Sequence, residues 1–356
     1  MFKNRPTCSL HDVICETFFN KGKVKVFDDF IGHTHSRFWN PRDERYVDFN
    51  QPFSIEKTAM LPEEDFPEFN GPLGEILNSE DKKTAWINGY VHRQITAILY
   101  AKQAAMLGAV TLARAVNNPE SMSYALNQAT EEARHMIALY DYITLRFGSP
   151  YPNPAQYQAL MINIVEASKV HLQLIGVQIL IEGLGMGALS WFIRRVKDPL
   201  LKRICSLVAS DDSTHHKFGL DWLKYDFPLL NETLRNEAED WALYCFKGFE
   251  EAIFAVEELV RFYTGCGFSQ EQARDITNTW HVNTSPQYAM IFTDLAHTLQ
   301  NYDVISARTE AWYSFWLSKV PHSDKAFADI IKSGTDILTA INRPVNQRNT
   351  LNVKVN

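Results

Sequence analysis

The sequence predicts an all-α protein, and three observations predict it. From Lys82 onward apolar residues recur at helical spacing in long blocks. Those blocks are punctuated by turn clusters at Asn117-Asn118-Pro119, Gly148-Ser149-Pro150 and Lys197-Asp198-Pro199. No region carries the alternation of apolar and polar residues that marks a run of strands.

Taken in order, residues 1–80 are rich in Pro, Asp, Asn and Phe with little helical periodicity. They read as an irregular arm packing on the core, with short helices near 9–19 and 72–78. Residues 81–226 form the bundle proper. Its first helix runs from Lys82 to Val116 and its second from Glu120 to Phe147. After the loop YPNPAQ, one long apolar helix runs to about Val196. A fourth runs from Leu200 to about Tyr225. A proline just past each turn suits the first position of the following helix. Residues 227–342 add helices of the same domain, near 231–264, 269–300, 303–318 and 323–341. The polar tail, 343–356, is expected to be loose.

The 356 residues are 46% hydrophobic and 12% aromatic, enough for a sizeable core. A net charge of −7 without a basic stripe argues against a nucleic-acid surface. Five cysteines (Cys8, Cys15, Cys205, Cys245, Cys266) lack CxxC spacing, which suits reduced thiols in a cytoplasmic protein. The N-terminal string MFKNRPTCSLHDV lacks a signal-peptide apolar run. The apolar stretch from Leu172 to Ile193 is broken by Gln173, Gln178 and Glu182, so it reads as a buried bundle helix and not a membrane span.

Two motifs carry the chemistry: Glu132-Ala-Arg-His135 and Asp212-Ser-Thr-His215. On a helix, a carboxylate and an imidazole three residues apart share one face. The motifs are related by one offset, since Pro119, Glu132 and His135 become Pro199, Asp212 and His215 on adding 80. Glu132 lies about 15 residues, roughly 22 Å of helix, beyond its turn. At the same height across the second hairpin stands Glu182, a lone acid in a strongly apolar helix, costly to bury unless paired or bound to a metal. The equivalent position in the first hairpin is Lys102, followed by Gln103. Taken singly, the plainer readings are a surface acid and a helix histidine for Glu132 and His135, a solvated Glu131 and Asp211, and an outward-snorkelling Lys102.

This pattern resembles the ferritin-like dinuclear iron carboxylate oxygenases and oxidases, including hydroxylase subunits of bacterial multicomponent monooxygenases. That family places a Glu, then about thirty residues on a Glu-x-x-His, and repeats the pair in a second hairpin. Glu132, His135, Glu182, Asp212 and His215 match five of its six ligand positions, and the strings EEARH and DDSTHHKFG resemble its ligand helices. The resemblance implies a ferritin-like four-helix bundle with extra C-terminal helices over about residues 82–226. It also implies two iron ions, or a Mn/Fe pair, and O2-dependent hydroxylation, desaturation or N-oxygenation of a small organic substrate. Glu131 and Asp211 would then support ligating histidines, and Arg134 would lie between ligands. His216 reads as a supporting or surface group.

Lys102 is the departure, and with Glu132 and Glu182 it is a candidate catalytic residue. Glu132, Glu182 and Asp212 supply three negative charges, and a protonated Lys102 removes one. An asymmetric site follows: metal held well near Glu182 and His215, weakly near His135 and Lys102. A neutral amine, a carbamylated lysine or the Gln103 amide would each repair the weak position. Ile98, Leu99, Met106, Met136, Leu139, Ile179 and Met186 would shape a cavity or simply fill the core. Gly183, Gly185 and Gly187 would widen that cavity, permit a bulge or allow close helix packing. No flavin or nicotinamide fingerprint is present, so an external reductase or electron donor is expected; so is a homodimer, with no membrane partner. A radical-storing tyrosine would fall at Tyr100 or Tyr140. Two rival readings stand beside the enzyme: a metal-poor scaffold subunit of a monooxygenase complex, and a self-modifying protein that consumes Lys102 or a tyrosine.

Overall fold

A computed structural model of the chain describes residues 32, 34, 37–116, 119–253, 255–279, 285–322, 328 and 331–342. Among the described residues there is no strand, in keeping with the all-α expectation. The expected helix at 9–19 and the loose tail at 343–356 lie outside the described residues, as do Cys8 and Cys15.

The arm begins irregularly and reaches two 3-10 turns, Glu63–Asp65 and Pro67–Asn70, before a short helix α1, Pro72–Ile76. Two helix hairpins follow. The first pairs α2, Glu80–Ala115, with α3, Pro119–Phe147. Ser79 starts α2, its hydroxyl accepting the Lys82 amide at 3.4 Å. Gly148 ends α3 with φ +83°, a left-handed conformation that glycine adopts without penalty. The second hairpin pairs α5, Val170–Arg195, with α6, Pro199–Tyr225. Asp198 caps α6 by accepting the Leu200 amide at 2.9 Å, with Pro199 in the first turn.

Three expectations need correction. The long helix after the YPNPAQ loop is two helices, α4 (Ala155–Val165) and α5, separated by a break at 166–169. The carbonyl freed at Ala167 is taken by the Gln173 side chain at 2.7 Å, so the break leaves that acceptor satisfied. Within α5, residues Leu174–Ile181 are wound as a π-helix, which apolar periodicity cannot reveal. The expected helix at 231–264 is likewise two, α7 (Glu232–Ile253) and α8 (Val256–Gly265), and that at 269–300 resolves into α9 (Gln270–Thr279) and α10 (Pro286–Asn301). Pro286 supplies the physical reason for the second split, since it lacks the amide a continuous helix needs there. A further helix, α11, spans Glu310–Leu317.

Two apolar clusters fill the interior. One gathers arm residues such as Trp39, Met60 and Leu61 with Ile98, Leu139, Met186 and Leu207. The other gathers Ala105, Tyr124, Leu174, Ile179, Phe218 and Phe246. Lys102, Glu132, Glu182 and Asp212 lie on the four hairpin helices at the level where one cluster gives way to the other. The bundle core is therefore divided by a layer of buried charge. Two helices, Glu80–Ala115 and Val170–Arg195, are long and apolar enough to cross a membrane by length alone, yet both are mostly buried within the protein and carry charged site residues inward.

Candidate metal centre

Each hairpin helix contributes to the charged layer: α2 gives Lys102, α3 gives Glu132 and His135, α5 gives Glu182, and α6 gives Asp212 and His215. All are buried, and Glu132, His135, Glu182, Asp212 and His215 have no exposed surface at all. Donor atoms of Glu132, Glu182, Asp212 and His215 lie within 4.8 Å of one another. The His215 Nδ1 is 3.0 Å from Glu132 Oε1, 3.5 Å from Asp212 Oδ1 and 3.6 Å from Glu182 Oε1. His135 stands to one side, its Nδ1 3.1 Å from Glu132 Oε2 and 3.4 Å from Asp212 Oδ1. The two imidazole centroids are 6.3 Å apart.

Each imidazole turns Nδ1 toward the carboxylates and Nε2 toward an acid from the opposite hairpin. His215 Nε2 lies 2.8 Å from Glu131, and His135 Nε2 lies 2.9 Å from Asp211. A neutral imidazole that donates from Nε2 keeps its Nδ1 lone pair for a cation. Asp211 is held in turn by Arg134 at 2.7 Å and by the Trp39 indole N–H at 2.7 Å. Arg134 lies over the Trp39 ring at 5.1 Å, and that ring stacks on His135 at 5.9 Å.

Lys102 does not snorkel. Its ammonium is 2.6 Å from Asp212 Oδ2, 3.2 Å from Glu132 and 3.3 Å from Glu182. Burial opposes its charge, but the three carboxylates outweigh burial and hold its pKa well above the ordinary lysine value. The cluster therefore keeps a protonated lysine where the sequence pattern calls for a carboxylate. Gln103 is exposed, because one residue of helix turns it about 100° away from Lys102, so its amide takes no part. Tyr140 is exposed at the surface, and Tyr100 donates to the Tyr151 carbonyl at 3.2 Å. His216 points its Nδ1 at the Gln178 carbonyl of the π-helix, 3.3 Å away.

Two groups went unnoticed in the sequence. Gln128 donates to Glu182 Oε1 at 3.0 Å, and its carbonyl accepts from Gln178 at 2.8 Å. Gln128 is four residues before Glu132, so the helical repeat alone could have found it. Trp39 carries no such signal, since 172 residues separate it from Asp211.

The remaining titrations follow from this geometry. Burial disfavours imidazolium, yet Glu132, Asp211 and Asp212 raise His135 to about 9, and His215 is pushed well above its ordinary value by the acids around it. Burial alone would raise Asp211, but His135 and Arg134 bring it down to about 2. Burial and Lys102 oppose one another at Glu132, where the cations win, and at Glu182, where burial wins.

The donor set fits a divalent cation. Both Asp212 oxygens and His215 Nδ1 are buried among charged groups alone, with the Lys102 ammonium 2.6 Å from Asp212 Oδ2 and Glu132 Oε1 3.0 Å from His215 Nδ1, so no backbone group competes with a cation for them. Three carboxylates and an imidazole are the hard and borderline donors that iron(II) and manganese(II) accept. Exchange of the two imidazolium protons for one divalent ion leaves the buried charge unchanged. A second such ion would add two positive charges beside Lys102. Compared with known proteins, the chain matches no protein-family model and no curated protein sequence.

Proposed function

We propose that the chain is an O2-dependent oxidoreductase built around an asymmetric non-haem metal centre, acting on a small organic substrate by hydroxylation, desaturation or N-oxygenation. The observation that carries this reading is the convergence of three fully buried carboxylates and two imidazoles from three packed helices, with Lys102 reaching in from a fourth. Glu132, Glu182, Asp212 and His215 would hold the tighter ion, and His135 with Glu132 and Asp212 the weaker one.

Bound iron, or an iron and manganese pair, supplies the electrons for dioxygen reduction that no side chain provides. The protein's own groups do the rest. Glu131 and Asp211 fix the tautomers of His215 and His135 and so aim both Nδ1 atoms inward. Lys102 holds a proton at Nζ beside Asp212 Oδ2, where negative charge would otherwise accumulate. The apolar clusters above and below the layer exclude water. Electrons come from a separate reductase or other donor.

Reconstitution of the purified chain with Fe(II) under nitrogen, followed by admission of O2, tests the proposal. About one tightly bound iron per chain and O2 uptake driven by added reductant are expected. No bound iron and no O2 uptake would sink it. One observation favours a second reading, a metal-poor scaffold: the Lys102 ammonium already serves three carboxylates without any metal. Iron content after aerobic purification separates the two. A mass increment after O2 exposure would instead mark a self-modifying protein.

A further inference from the structure

Three glycines follow Glu182 at alternate positions, and the structure gives them different surroundings. A Cβ at Gly183 would stand 3.1 Å from the Leu295 side chain, and one at Gly187 would stand 2.8 Å from that of Ile291. Those two let α5 approach α10 closely. A Cβ at Gly185 would meet nothing within 4 Å. Gly185 is nevertheless buried, because it borders a cavity of about 80 Å³ walled by Ile98, Ala101, Ile181, Phe249 and Ile291.

That cavity abuts the charged layer. Ile98 is one turn before Lys102 on α2, and Gly185 is one turn after Glu182 on α5. A smaller cavity, of about 40 Å³, shares Gln94, Ala97, Tyr157, Ile253 and Tyr288 with the first and continues to Tyr151, Pro152 and Pro154 in the loop between α3 and α4. The two together run from that loop to within one helical turn of Lys102 and Glu182, neither of which lines them. Arg93 lines the outer cavity, whereas the polar edge of the inner one is neutral. The Tyr90 hydroxyl donates to Gln287 at 2.8 Å, and Gln94, Tyr157 and Tyr288 complete that edge. No Asp, Glu, Lys or Arg lines the inner cavity.

We propose that this cavity is the binding site of the molecule to be oxidised, that it takes small uncharged molecules of mainly apolar surface, and that Gly185 sets its capacity. A charged ligand would be buried there without a counter-ion. An apolar cavity of about 150 Å³ holds benzene, so a space of about 80 Å³ suits a molecule of about three or four carbon atoms. The role in oxidation rests on the metal-centre reading; the capacity to hold an apolar molecule does not.

Crystals of the full chain pressurised with xenon test the capacity directly. One xenon site is expected between Gly185, Ile98 and Ile291 in the wild type, reduced in Gly185→Ala and absent in Gly185→Leu. Benzene soaks should leave no density there. Because a helix-interior glycine lowers helix stability, Gly185→Leu should melt at or above the wild-type temperature, whereas Gly187→Ala should melt lower. Absence of xenon in the wild type, its retention in Gly185→Leu, benzene at this position, or a Gly185→Leu chain as unstable as Gly187→Ala would each overturn the proposal. Iron uptake by the same preparations separates the two readings. Xenon binding in a chain that takes up no iron would remove the metal reading and leave the apolar ligand site standing.

Discussion

Lys102 sits at the meeting point of three carboxylates, and its substitution reports on what that layer holds. In the metal-free protein, Lys102→Met leaves three buried acids with only the two imidazoliums beside them, and a loss of about 3 kcal/mol is expected in urea unfolding. Lys102→Glu should raise tightly bound divalent metal from one per chain to two, read by titration calorimetry. Two equally tight ions in unmodified wild-type protein would defeat the asymmetry. The supporting acids should behave differently from one another. Glu131→Gln disturbs His215 and should weaken the tight ion about 10- to 100-fold. Asp211→Asn disturbs His135 and should leave that affinity nearly unchanged. The imidazoles also set a pH dependence. Metal binding requires their neutral form, so affinity at both positions should climb with pH, and at the weaker position it should level off above about 9, the value to which His135 is raised. A raised histidine stabilises the metal-free fold fully below its unfolded value of about 6.5. That contribution is lost as pH rises through about 9, so apo melting temperature should fall over this window while the loaded protein resists.

At the scale of elements, the π-helix Leu174–Ile181 ends against Glu182 and sets the register of α5 on both sides. It carries Gln178 to Gln128 and presents the Gln178 carbonyl to His216. Gly219 of α6 makes room for it, because a Cβ there would fall 2.8 Å from Gln178 and Ile179 side-chain atoms. A π-turn already absorbs one residue more than an α-turn, so a further inserted residue turns one flank about 100° relative to the other. Insertion of one alanine after Gly176 should therefore abolish metal binding while leaving far-UV helical signal largely intact. Retained stoichiometric metal would show that the winding does not position Glu182.

Across the whole molecule, a series of buried and half-buried polar groups ties the irregular arm to the bundle. Asn88 accepts the Met60 amide at 2.7 Å and donates to the Ile55 and Thr58 carbonyls at 2.7 and 2.9 Å. Arg146 joins Asp198 at 2.8 Å to the Gln51 carbonyl at 2.9 Å. The same arm delivers Trp39 to Asp211. Asn88→Ala should cost about 3 kcal/mol, three hydrogen bonds at about 1 kcal/mol each. It should also loosen metal binding at a distance, detected as faster metal release to a chelator. An unchanged release rate would show that the arm does not support the site.

The sequence by itself determined three of the helices around the site, α2, α3 and α6, because apolar periodicity and proline-bearing turns are local signals that survive without tertiary context. It also placed Lys102, Glu132, His135, Glu182, Asp212 and His215 at one height, because helical rise converts equal spacing from a turn into equal level. Only the tertiary structure decided that Lys102 turns inward as a cation, that Glu131 serves His215 and Asp211 serves His135 across the hairpins, and that Trp39 closes the far side. It alone separated Gly185 from Gly183 and Gly187, which the sequence presents as equals. The physical reason is the same in each case: side-chain direction, the partner of a buried charge and the presence of empty space depend on residues distant in the chain, and no local pattern encodes which of them arrive.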